Sequence, residues 1–90
     1  MATVVVTGAN RGIGLEYCKQ FLARGDLVIA LCRQSSEELM VLGCRVEEDI
    51  DVSGDECVAI IRERLNDVSH VDVLVNNAGL LTTETLDDLD

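Results

Sequence analysis

Proline and tryptophan are absent from this 90-residue chain, and Tyr17 and Phe21 are its only aromatic residues. A core must therefore be built from Val, Ile, Leu and Ala. That profile suits buried strands alternating with helices better than a turn-rich all-β sandwich. Basic residues are also scarce: 7 Lys and Arg stand against 17 Asp and Glu, a net charge of −10. A surface this acidic repels polyanions, which argues against nucleic acid as a partner. Many of the carboxylates fall in stretches that read as solvated helix faces or as the C-terminal tail. There is one histidine, His70, and no Cys-x-x-Cys pair; Cys18, Cys32, Cys44 and Cys57 lie a dozen or more residues apart, so no metal centre is expected. No apolar run is long enough to cross a bilayer, and no basic segment followed by an apolar one opens the chain. The expected setting is the reducing cytoplasm, with the cysteines as reduced, mostly buried thiols.

What remains is strongly patterned. Residues 3–7 (Thr-Val-Val-Val-Thr) form a β-branched run that reads as a strand buried on both faces. Three glycines interrupt it at Gly8, Gly12 and Gly14. A helix is predicted over 13–24, with Ile13, Tyr17 and Phe21 beside Leu15, Cys18 and Leu22 as a broad apolar stripe, and Gly25 as its stop. Residues 27–32 read as a second strand. Ser35 or Ser36 caps a short helix that ends at Gly43. A third strand is expected over 45–52; Glu47, Glu48 and Asp49 break its apolar run, which fits a sheet edge. Ser53 and Glu56 have the spacing of a capping box ahead of a helix lined by Val58, Ile61 and Leu65. Residues 70–75 form the fourth strand, and 80–90 read as a loop. The alternation β-α-β-α-β-α-β argues for a parallel sheet with right-handed crossovers.

The loop from Gly8 to Gly14 joins the first strand to the first helix. The N-terminus of a helix offers unpaired N–H groups and partial positive charge, which suit a pyrophosphate, and glycines let backbone approach the ligand. The spacing is G-x-x-x-G-x-G, different from the G-x-G-x-x-G of the usual dinucleotide fingerprint. Thr7-Gly8-Ala9-Asn10-Arg11-Gly12-Ile13-Gly14 resembles the T-G-x-x-x-G-x-G motif of the short-chain dehydrogenases/reductases. Asn76-Asn77-Ala78-Gly79 is similar to that family's N-N-A-G motif, and Asp51-Val52 to its acidic residue after strand three. The opening, with Arg11 in the loop and Leu15-Glu16 behind it, is similar to the carbonyl-reductase, sniffer and C-factor branch.

The resemblance implies an α/β fold: a Rossmann-type parallel sheet with flanking helices, truncated after the fourth strand. Residues 1–90 would then be the incomplete NADP-binding half of a Rossmann domain. It implies that Gly8, Gly12 and Gly14 shape the turn, that Arg11, Gly12 and Ile13 lie against the cofactor phosphates and ribose, and that Asn10 counts among the cofactor-binding residues. Asp51 would accept a hydrogen bond from the adenine amino group with Val52 against the ring. Asn77, Ala78 and Gly79 would pass behind the adenosine ribose and the nicotinamide, while Asn76 braces the strand.

At the end of the second strand, a carboxylate would hold the ribose 2′-OH of NAD and repel a 2′-phosphate. Here Cys32 and Arg33 stand instead, and a guanidinium can fork onto phosphate. Arg33 together with Arg11 points to NADP; as a solvated loop residue Arg33 would carry no such meaning. Cys18 and Cys57 read as core thiols; Cys32 reads as packed, or as touching the adenosine end of the cofactor. His70 reads as a surface residue.

The family's catalytic Ser and Tyr-x-x-x-Lys follow the N-N-A-G strand. Residues 80–90 contain none of the three types, and Tyr17 is followed by Phe21 rather than Lys, so no catalytic residue is assigned. The implied parent activity is hydride transfer between NADPH and a small carbonyl or alcohol, without a nucleic-acid or membrane partner; a homo-oligomeric parent is compatible with it. Two alternatives stay open: a non-catalytic NADP(H)-binding module, and an interaction fragment whose exposed sheet edge pairs with a full-length relative.

Overall fold

A computed structural model of the chain describes residues 1–51 and 56–77. In order these form β1 (Thr3–Thr7), α1 (Gly12–Ala23), β2 (Leu27–Leu31), α2 (Glu37–Met40), β3 (Arg45–Glu47), α3 (Cys57–Arg64) and β4 (Val73–Val75). The four strands make one sheet in the order β3-β2-β1-β4. Every pairing is parallel. The chain therefore runs outward from β1 through β2 to β3 and then crosses back, so that β4 lies on the other side of β1. This doubly wound parallel sheet is the α/β architecture that the alternating pattern predicts.

The alternation of side chains along each strand sorts the core into two layers. Val4, Val6, Val28, Ala30 and Cys32 face one side, where Leu15 and Cys18 of α1 and Leu39 of α2 cover them. Val5, Ile29 and Leu31 face the other, against Cys57, Ile61 and Leu65. β1 and β2 are thus buried on both faces, as continuous Val/Ile/Leu runs require.

Several elements differ from expectation in ways that packing explains. The helix stripe is narrower than the sequence pattern: Leu15 and Cys18 are buried, whereas Ile13 is 67% and Tyr17 40% exposed. One stripe about two positions wide is enough to contact a flat sheet, so the Ile13–Tyr17 flank turns outward. Tyr17 stacks on Phe21 with ring centroids 6.4 Å apart. Arg24 covers Phe21, its guanidinium carbon 5.5 Å from the ring centroid. The helix stops as predicted: Gly25 takes φ 88°. Its N–H donates to the Leu22 carbonyl (3.0 Å) and that of Asp26 to the Phe21 carbonyl (3.1 Å), the paired bonds of a Schellman cap.

Of the two candidate caps for α2, Ser36 is the one used: its Oγ accepts from the Leu39 N–H at 3.2 Å. The helix is one turn long and gives way to turn before Gly43.

β3 sits at the sheet edge as predicted, but it ends at Glu47, well short of residue 52. Asp49 takes a left-handed φ of 62° that breaks the strand. β4 begins at Val73 rather than at residue 70, because its partner among the described residues, β1, begins at Thr3. The Asp72 N–H donates to the Thr3 carbonyl (2.9 Å) just ahead of the paired residues. The Asp72 carboxylate closes this end by accepting from the Thr3 N–H at 2.7 Å. Glu56 is the N-cap residue of α3 and makes no side-chain capping bond. Ser53 of the expected capping box lies outside the described residues, as do Val52, Ala78, Gly79 and the loop predicted over 80–90.

Candidate functional site

The order β3-β2-β1-β4 places a reversal of direction between β1 and β4. In open parallel sheets, ligands bind outside the carboxyl ends of the strands at such a switch point. A cavity of about 1090 Å³ opens there. Typical ligand pockets are roughly 300–1,000 Å³, so there is room for an extended molecule. Its floor is the glycine loop: Gly8, Asn10, Arg11, Gly12 and Ile13. One wall is the end of β2 and the turn after it, Leu31 to Gln34; the other comes from Asp49, Ile50 and Asp51 after β3, and from Asn77 after β4.

The floor has the backbone its sequence requires. Gly12 has φ 59°, and a Cβ there would meet nothing within 4 Å: its bareness serves the left-handed turn and keeps the space above open. Gly14 is different. A Cβ there would run into the Gly8 carbonyl oxygen and would lie 2.8 Å from Asn77 Nδ2. The first turn of α1 thus approaches the end of β1 as closely as an unsubstituted backbone allows. Arg11 is the N-cap of α1, with extended backbone and no side-chain capping bond. The leading amides of α1 therefore face the cavity without a side-chain acceptor from the cap, which is the arrangement that accepts an anion.

The remaining predicted residues divide by what they touch. Asn77 Nδ2 donates to the Gly8 carbonyl at 3.2 Å, tying the exit of β4 to the glycine loop. Asn76 braces the strands as expected, with Thr7 Oγ1 donating to its Oδ1 at 3.3 Å. Asn10 Nδ2 donates to the Gln34 carbonyl at 3.0 Å, so its side chain spans the cavity mouth. Arg11 and Arg33 are exposed at the cavity, and no ion pair among the described residues engages either. Asp51 is exposed on the opposite wall. Cys32 is 3% exposed yet lines the cavity, so it is both a packed thiol and part of the wall. Burial pushes the Cys32 thiol up from its ordinary value, with Glu48 and Cys44 adding to the effect. The end of β2 therefore presents a neutral thiol, not a thiolate, beside Arg33. Gln34, Asp49 and Ile50 also line the cavity and were not singled out from sequence. Their signal was positional: each lies just past the carboxyl end of β2 or β3.

Outside the cavity, Cys18 is fully buried and its thiol is pushed up to about 12 by burial, with Cys44 and Cys32 adding. Cys57 is likewise buried. Cys32 directly follows β2 and Cys44 directly precedes β3, and the register Ile29↔Arg45, carried back one step, sets Cys44 level with Val28, four residues short of Cys32. At roughly 3.3 Å per residue that separation is far beyond disulfide reach. All four cysteines are free. His70 is exposed and pairs with Asp72 at 3.3 Å, away from the cavity. Among the described residues, no group of His, Cys, Asp and Glu could hold a metal ion, and no helix is long and apolar enough to cross a membrane.

A doubly wound parallel sheet, a glycine loop running into α1 and a cavity at the switch point define an α/β protein of the Rossmann type. The chain belongs to the short chain dehydrogenase family, whose model matches residues 2–90. It is 33% identical over 91 residues to the 1-hydroxy-2-glutathionyl-2-methyl-3-butene dehydrogenase of Rhodococcus sp. (strain AD45), covering 100% of this chain and 40% of that protein. Among solved structures, a carbonyl reductase from Pseudomonas aeruginosa PAO1 in complex with NADP is similar at 33% identity and TM-score 0.74, over 82% of this chain and 36% of that one. A 4-hydroxyisoleucine dehydrogenase complexed with NADH is similar at 29% identity and TM-score 0.76, over 88% of this chain and 34% of that one. The chain spans about two fifths of the Rhodococcus enzyme and a third of each solved relative.

Proposed function

We propose that residues 1–90 are the cofactor-binding half of an NADP-dependent short-chain dehydrogenase/reductase whose whole protein interconverts a small carbonyl and its alcohol. The observation that carries the choice of NADP is the end of β2. Cys32 is a neutral, buried thiol where a carboxylate would select NAD, and Arg33 stands exposed beside it at the cavity. The carbonyl reductase that binds NADP supports the reading; the relative that binds NADH shows why a local feature, not the fold, must decide it.

In this reading the amides opening α1 hold the pyrophosphate, with Gly8, Gly12 and Gly14 allowing the approach. Arg33 and Arg11 hold the 2′-phosphate through charge-assisted bonds. As the family motifs imply, Asp51 and Val52 would hold the adenine, Asn10 and Ile13 the ribose and phosphates, and Asn77, Ala78 and Gly79 the adenosine ribose and nicotinamide. The nicotinamide, when bound, supplies the transferred hydride, and the chain orients it and screens its charges. A reducing cytoplasmic setting suits the four free thiols.

Titrating NADPH and NADH into the chain by calorimetry tests the assignment. Tighter binding of NADPH is expected; equal or tighter binding of NADH refutes it. The alternative, an NADP(H)-binding module without turnover, makes the same binding prediction. Turnover by the whole protein with a carbonyl separates the two.

A further inference from the structure

The turn after β2, which carries Arg33, is held at three consecutive residues by two segments, the glycine loop and the stretch after β3. Asp49 N–H donates to the Arg33 carbonyl (3.0 Å). Asn10 Nδ2 donates to the Gln34 carbonyl (3.0 Å). Glu48 Oε2 accepts from the Ser35 N–H (2.8 Å). The first and third tethers both come from the segment after β3, where Asp49 turns left-handed and so leaves the preceding Glu48 facing the β2 turn. Glu48 does not line the cavity, whereas Arg33, Gln34 and Asp49 do.

We propose that Glu48 is a positioning residue for cofactor choice: its carboxylate, bonded to the Ser35 amide, fixes the turn that presents Arg33 to a 2′-phosphate. The inference rests on the NADP reading above. Two effects of Glu48 have opposite sign, which makes the proposal decidable. As a charge, the carboxylate repels a phosphate, so removing it would favour NADPH; across solvent this effect is screened. As an acceptor, it holds the turn, so removing it lets Arg33 wander and disfavours NADPH. A charge-assisted bond to a backbone amide corresponds to roughly a tenfold effect or more when lost, and the screened repulsion to less, so the acceptor role wins.

The test titrates NADPH and NADH by calorimetry into the full chain as wild type, Glu48→Ala and Glu48→Gln, with hydrogen exchange at the Ser35 amide followed in parallel. Glu48 is exposed, so neither substitution disturbs the core. Glu48→Ala is expected to cut the NADPH-to-NADH affinity ratio several-fold and to speed exchange at Ser35. Glu48→Gln keeps an acceptor without the charge and is expected to restore most of both. If wild type prefers NADPH and Glu48→Ala keeps or raises that preference, Glu48 is only a nearby charge and this inference alone falls. If wild type shows no preference for NADPH, the NADP reading falls and the inference with it.

Discussion

Replacing Gly14 with alanine tests how tightly the glycine loop closes on the end of β1. The new methyl would meet the Gly8 carbonyl oxygen head-on and Asn77 Nδ2 at 2.8 Å. A backbone carbonyl cannot swing aside as a side-chain end can, so either α1 shifts or the loop opens. Forcing an extra carbon into packed surroundings costs about 1–3 kcal/mol. Displacing Asn77 also removes its bond to the Gly8 carbonyl, worth about 1 kcal/mol. Alanine's better helix propensity offsets at most ~1 kcal/mol of this, and less in a first turn. The net expected loss is about 2 kcal/mol, roughly thirtyfold in an equilibrium constant. Gly12→Ala is the control: its methyl meets nothing within 4 Å. Its stability cost is confined to left-handed backbone, about 1–2 kcal/mol. Urea denaturation of wild type and both variants gives the stabilities, and NADPH titration follows the site. A Gly14→Ala chain as stable as wild type, with unchanged NADPH affinity, would refute the close approach described here.

Arg33→Ala should weaken NADPH binding by roughly tenfold or more and leave NADH binding nearly unchanged, since only NADPH has a 2′-phosphate to lose; an unchanged affinity ratio in paired titrations would reduce Arg33 to a solvated loop residue. Adding Cys32→Asp to that variant should tip the preference to NADH, read in the same titrations. The 90-residue chain alone should show no NADPH oxidation with any carbonyl above a no-protein control, since no catalytic Ser, Tyr and Lys set is assigned in it. Cys18 should make the fold sensitive to alkali. Its thiol is raised to about 12 from 9.0 by burial, then by Cys44 and Cys32. The folded state thus prefers the neutral thiol, and its contribution is complete below the unfolded value and lost as pH rises from 9.0 toward 12. Denaturation midpoints across that window should fall in wild type and fall less in Cys18→Val; parallel curves would show that Cys18 plays no part.

The elements were legible because their signals are local. The β-branched run of β1, the glycines that end it, the Gly25 stop of α1 and the Ser36 cap each depend on a few neighbouring residues and on backbone geometry that any fold must respect. The edge position of β3 was legible from Glu47, Glu48 and Asp49, since a central strand does not tolerate such a run. The glycine loop announced its backbone for the same reason: Gly12 takes a left-handed φ and Gly14 allows a close approach that a side chain would block.

Contacts between distant segments were not legible, and they decide the site. Periodicity could not say which flank of α1 would face the sheet, so Ile13 and Tyr17 turned outward when packing chose Leu15 and Cys18. β4 was shortened by the start of its neighbour β1, a fact that lies some seventy residues away in the chain. Asn77 reaches Gly8 across 69 positions. Asn10 reaches Gln34 across 24, and Glu48 reaches Ser35 across 13. The sequence alone determined the order of strands and helices and the shape of the glycine turn, because these follow from local backbone preference and burial period. The tertiary structure alone decided which side chains meet at the carboxyl ends of the strands, because only the assembled parallel sheet brings the turns after β1, β2, β3 and β4 to one edge.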